Sequence, residues 1–88
     1  MKLEWNNTKR NETLAERGLD FADVAFLEWD TAVTRQDDRR PYPETRFITH
    51  GLIKGRLCVV AWCVRNDALR VISLRKANPK EVKRYERN

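Results

Sequence analysis

Residues 45 to 76 read TRFITHGLIKGRLCVVAWCVRNDALRVISLRK. Three runs rich in β-branched and aromatic residues, TRFITHGL, GRLCVVAWCVR and ALRVISLRK, are separated by Lys54-Gly55 and Asn66-Asp67. Both dipeptides suit two-residue hairpin turns, so the stretch predicts an antiparallel meander. With such turns Arg46 lies opposite Cys63 and Cys63 opposite Arg70, with Arg65 two residues further along the middle strand. Side chains alternate, so one face is expected to carry Ile48, Leu52, Leu57, Val59, Ala61, Ile72 and Leu74, with Arg46, Arg65 and Arg70 gathered at its open end. The other face is expected to carry Phe47, Val60, Trp62, Val64, Leu69 and Val71, then Ser73 and Arg75. A slip of one residue would exchange the two faces. Both are apolar, so helices cover both or a partner covers one.

Working outward toward the N-terminus, Asn6 caps a helix through NTKRNETLAER, and Gly18 stands where a left-handed C-terminal residue belongs. Asp20 offers a second cap, followed by Phe21, Val24, Ala25 and Leu27 at helical spacing. Asp30 to Pro43 reads as a polar loop in which TAVTR can form a short edge strand. Toward the C-terminus, Asn78, Pro79 and Glu81 form a capping-box pattern, and Glu81 and Tyr85 share one helix face. Tyr85 either anchors that helix on the sheet or brings its hydroxyl to the arginine rim. The predicted fold is α+β: two N-terminal helices, an antiparallel meander of three to four strands and a C-terminal helix. At 88 residues the chain is expected to form a single domain, 1–88.

Charge is unevenly placed. Residues 1–64 carry 10 Lys+Arg against 10 Asp+Glu, whereas residues 65–88 carry 8 against 3. The excess of +5 therefore sits in the last quarter of the chain, as expected of a surface that meets nucleic acid, although a solubilising terminal helix has the same composition. No run is long enough to span a membrane, and nothing directs the chain out of the cytoplasm, where it is expected to reside. Cys58 and Cys63 lie five apart in one strand, point to opposite faces and are expected to be reduced core thiols. No Cys/His spacing suits a metal, and no glycine loop suits a phosphate-bearing cofactor; neither metal nor cofactor is expected.

The ordered set EW with Lys9 shortly after, RGLDF, PETRFITHG, GRLCVV, VR, RVISLRKA and EVKRYE resembles the BrnT family of ribonuclease toxins from type II toxin-antitoxin systems. The likeness runs from Glu4 to Glu86 and is most specific over Arg70 to Ala77, which follows the family block R-I-I-S-A-R-K-A. It implies a RelE-like fold, cleavage of RNA without a metal to inhibit translation, and neutralisation by a BrnA-like DNA-binding antitoxin. Glu44, Arg46, Arg65, Arg70, Ser73, Arg75 and Lys76 match the family pattern. Asn6, Glu16-Arg17, Trp62, Val64 and Leu74 depart from its Asp, Lys-His, His, Glu and Ala, and the changes at 16–17 and 62 remove candidate proton carriers.

Chemistry supports the same region. Metal-free RNA cleavage needs the strand positioned, the developing dianion stabilised and protons moved. Arginine forks suit the first two tasks, so Arg46, Arg65 and Arg75 are the expected catalytic cations. Arg70, Lys76, Lys80, Lys83 and Arg84 are expected to hold RNA. Tyr85 is the first choice for proton transfer; Glu44 serves as base or as a surface ion pair, and His50, the sole histidine, falls on the predicted core face. Two other readings use the same surface: a non-catalytic RNA- or DNA-binding module, with Phe47 and Trp62 as a stacking platform, and a degenerate toxin that only binds antitoxin.

Overall fold

A computed structural model describes residues 2–87. Five strands form one sheet: β1 (Lys2–Trp5), β2 (Val33–Asp37), β3 (Arg46–Ile53), β4 (Arg56–Arg65) and β5 (Ala68–Lys76), in the spatial order β1-β5-β4-β3-β2. The meander β2 to β5 is antiparallel, as its turns require: Lys54, Gly55, Asn66 and Asp67 all have positive φ (51°, 81°, 51° and 62°). The short edge strand expected within TAVTR is β2.

Two α-helices flank the sheet, α1 (Asn7–Arg17) and α2 (Pro79–Glu86). The Asn6 side chain accepts from the Lys9 N–H, and Gly18 closes α1 at φ 68°. Asn78 and Glu81 complete the capping box of α2.

Three expectations are corrected. The second N-terminal helix is not α-helical: Phe21–Phe26 is a 3-10 helix capped by Asp20, followed by a 3-10 turn at Trp29–Thr31. Its six residues are enough to lower Phe21, Val24 and Leu27 onto the sheet, after which the chain is drawn into an isolated bridge between Leu27 and Ile53. The sheet is mixed, because β1 pairs in parallel with β5 through Leu3↔Leu69 and Trp5↔Val71. The third correction is a bulge: Trp62 pairs with Val71 but Ala61 with Ser73, which leaves Ile72 as the extra residue. Beyond it β5 is inverted relative to the simple register. Leu74 falls on the face of Val60, while Ser73 and Arg75 join the face of Arg46, Arg65 and Arg70. The bulge seats Leu74 in the core at 1% exposure and spares Arg75 a buried position without a partner.

The main core cluster lies on one side of the sheet, and Ile48, Leu57, Val59 and Cys63 are buried on the other. Phe21, Val24 and Leu27 pack against Ile53, Cys58, Val60, Leu69, Val71 and Leu74; each such side chain taken from water contributes about 1.5–3 kcal/mol. Gly51 makes this closure possible, since a Cβ there would stand 3.1 Å from Ala32 Cβ and 3.2 Å from Leu27 Cδ1. Cys58 and Cys63 are free and buried, one on each face, and burial raises both thiols above their ordinary pKa. The opposite face is open at one end and carries α2 at the other.

Candidate functional site

The open end of the second face is built from three adjacent strands. Arg46 on β3, Cys63 on β4 and Arg70 on β5 are successive partners, and Arg65 follows Cys63 on the same face. Together with Glu44, Lys9, Asn6 and the bulged Ile72, these arginines line one concavity.

Each cation is held differently. The Arg46 guanidinium sits 4.1 Å from the centroid of the Tyr42 ring, a cation–π contact that orients it without using its donors. Its Nε lies 3.5 Å from Glu44 Oε1, close enough for ion pairing but out of line for a hydrogen bond, and it has no hydrogen-bond partner among the described residues. Arg70 Nη1 donates to Glu4 Oε1 at 3.2 Å. Arg65 is exposed and makes no ion pair among the described residues. Glu44 also approaches the Cys63 thiol, where its charge adds to burial in raising that thiol's pKa. Next door, Asp37 is held at about 2 by the Arg39 guanidinium, with the Tyr42 hydroxyl also donating to it. That cluster pins the loop carrying Tyr42.

Lys9 and Asn6 lie outside the strand pattern that points to the arginines, although the sequence carries a signal for them. The first turn of α1 contains no acidic residue and includes a lysine, an arrangement that opposes the helix dipole and is tolerated where an anion is to be met.

Arg75 and Tyr85 lie elsewhere. Arg75 is opposite Val59 on β4, four residues from Cys63 and therefore about 13 Å along the strand. It is engaged by Glu81 through two hydrogen bonds of 2.8 and 2.9 Å. Glu81 also accepts from the Asn78 N–H at 2.9 Å and lies 3.4 Å from His50 Nε2. Arg75 foremost, then these groups, hold its carboxyl down to about 2. His50 is thus a half-buried partner of α2 and not a core residue. The Tyr85 hydroxyl donates to the Thr31 carbonyl at 2.8 Å and does not reach the arginine rim. Lys76, Lys80, Lys83 and Arg84 are exposed on the end of β5 and on α2. The geometry therefore unites Glu44, Arg46, Arg65 and Arg70 and sets Arg75, Tyr85 and the α2 cations apart from them.

A family model for the BrnT ribonuclease toxin of type II toxin-antitoxin systems matches residues 5–81. The chain belongs to the BrnT family. No curated protein matches it. Membership in a family of ribonuclease toxins gives this chain RNA as substrate class and an antitoxin as partner. In this BrnT-family chain the matched stretch holds the whole arginine rim, Arg75 and Glu81, while Arg84 and Tyr85 follow it. The positions that lack proton carriers lie away from the rim. Arg17 donates to the Leu74 carbonyl at 2.9 Å, fastening α1 to β5. Trp62 points to the covered face, donating to Thr49 Oγ1 at 2.8 Å and lying against Phe47 with ring centroids 4.7 Å apart. Trp29 meets Trp62 edge-on at 5.7 Å, so the expected Phe47–Trp62 platform is packed on one side. Among the described residues no group of three or more His, Cys, Asp or Glu side chains is arranged to hold a metal, and no helix is long and apolar enough to cross a membrane.

Proposed function

We propose that this BrnT-family toxin is a metal-independent endoribonuclease that inhibits translation by cutting RNA at the rim of Glu44, Arg46, Arg65 and Arg70. The supporting observation is the convergence of three guanidinium groups from three adjacent strands on one concavity that Glu44 also lines. Guanidinium stays protonated and grips two phosphate oxygens at once, so three forks orient the scissile phosphate and stabilise the dianion that develops on it. The 2′-oxygen attacks the adjacent phosphorus as the bond to the 5′-oxygen breaks. This leaves a 2′,3′-cyclic phosphate and a free 5′-hydroxyl. Glu44 takes the 2′-hydroxyl proton, and Lys9, at the α1 N-terminus, donates to the departing 5′-oxygen. Arg75 and Tyr85 act through the position of α2, and Lys76, Lys80 and Lys83 attract RNA by their field. A BrnA-like DNA-binding antitoxin silences the toxin by laying acidic groups over the same rim.

The test is RNA cleavage in EDTA by the wild type and by the Arg46→Ala, Arg70→Ala and Glu44→Gln variants, with end-group analysis. Arg46→Ala should lose about 100-fold in rate or more, and the products should end in cyclic phosphate. Wild-type rates in all three variants, or activity abolished by the chelator, would refute the assignment.

A further inference from the structure

On the same face as the rim, about 13 Å away along β4, a cleft opens between β2, β3 and α2, lined by Val33, Arg35, His50, Glu81, Arg84 and Tyr85. Glu81 is the acidic partner of Arg75, at the cleft's edge, and of His50, whereas Arg35 and Arg84 are exposed and make no ion pair or hydrogen bond among the described residues. Glu81, the one carboxylate among the described lining residues, is already bridged by Arg75, so it offers an approaching anion little repulsion. The floor is apolar. Val33 is 42% exposed, and the Tyr85 ring is fixed in orientation by the hydrogen bond from its hydroxyl to Thr31. A fixed aromatic face flanked by two unpaired guanidinium groups has the chemistry to stack a base and hold its phosphate.

We propose that this cleft is a second RNA-contact site, which holds a nucleotide about four positions from the scissile phosphate and makes the toxin favour RNA long enough to reach it. The spacing follows from 13 Å at the roughly 3.4 Å rise of a stacked strand. No sheet edge has to be crossed, because His50 and Arg46 lie on one strand and one face. The proposal rests on the rim being the site of cleavage.

The test compares oligoribonucleotides of graded length carrying one cleavable position, with kcat and KM measured for the wild type, an Arg35→Ala/Arg84→Ala double variant and Arg46→Ala. The same lengths with a 2′-deoxy residue at that position give affinity without turnover. The wild type should bind long oligomers about tenfold more tightly than short ones, and the double variant should lose that difference with kcat unchanged. A double variant with wild-type length dependence overturns the proposal. So does a fall in its kcat on the shortest substrate, which would move the chemistry into the cleft, or weakened antitoxin binding with RNA affinity intact, which would make the cleft a protein dock. Failure of the rim reading looks different: Arg46→Ala then cleaves every length at the wild-type rate.

Discussion

Glu81→Gln removes one charge from the joint that fastens α2 to the sheet, and the cost can be worked out. In the folded chain the Glu81 carboxyl is held at about 2 instead of its ordinary 4.5, which corresponds to at most about 3 kcal/mol at neutral pH. Arg75 is 43% exposed, so solvent screens the pair, and a realistic value for the bidentate interaction with its share of the capping box is about 1–2 kcal/mol. Because the folded pKa is depressed, this stability is fully present above about pH 5 and is lost as pH falls toward 2. Urea unfolding at pH 7 should show Glu81→Gln less stable than the wild type by that amount, and the gap should narrow at pH 3, where the carboxyl of the unfolded chain is protonated and that of the folded chain is still largely ionised. Arg75→Lys serves as a control, keeping the charge while losing the fork. A gap that stays constant from pH 7 to pH 3 would mean that the ionised carboxylate does not hold α2, and the account of the joint would be wrong.

Three further outcomes follow from other contacts. Gly51→Ala should lower stability by about 1–2 kcal/mol in thermal unfolding, since its Cβ meets Ala32 and Leu27 at 3.1 and 3.2 Å; unchanged stability would show that the 3-10 segment moves aside freely. Tyr42→Leu should slow RNA cleavage about two- to fivefold by removing the ring 4.1 Å from the Arg46 guanidinium, a contact worth about 0.5–1 kcal/mol, while Tyr42→Phe should retain the rate. Equal rates in the Leu and Phe variants would remove the ring from the account. RNA affinity of the Glu44→Gln variant should fall with salt, and Arg70→Ala should flatten the log–log slope by about 0.7, the increment for one phosphate contact on a single strand; an unaltered slope would place Arg70 off the RNA.

What local chemistry dictates was legible. The two hairpin turns, the Asn6 and Asn78 caps, Gly18 and the Glu81 capping box depend on residues within a few positions of one another, and each formed as its spacing requires. Features set by distant partners were not. Strand β1 is four residues long and pairs with residues 68–71 at the far end of the chain, and nothing in Lys2–Trp5 announces a partner. The short run after Asp20 satisfies α-helical and 3-10 spacing equally well, and tertiary closure over Gly51 decides between them. The bulge at Ile72 carries no glycine to mark it. It follows from the demand that Leu74 be buried and Arg75 not, a demand visible only once the 3-10 segment covers one face. The rim of Arg46, Arg65 and Arg70 lies before the bulge, where simple alternation holds. Arg75 lies after it, and the same alternation put it on the wrong face. Tyr85 was displaced from the rim for a related reason, since its helix follows the joint that Arg75 and Glu81 make.

Charge placement connects the fold to the proposed site of cleavage. Three like charges on neighbouring strands repel one another, so the rim tolerates them only with compensation that RNA can displace or share. Arg70 is compensated by Glu4 from the parallel strand and Arg46 by the Tyr42 ring and Glu44, while Arg65 rests in solvent. Glu4 reaches Arg70 only because β1 joins β5 in parallel with Glu4 opposite it. The one strand that local sequence did not reveal thus supplies a counter-charge to the proposed phosphate clamp. Glu4→Gln should leave the fold intact, relieve Arg70 of its partner and tighten RNA binding, because the phosphate no longer competes with a fixed carboxylate. Weaker binding by a folded Glu4→Gln variant would instead make Glu4 a positioning residue that holds Arg70 in its working orientation.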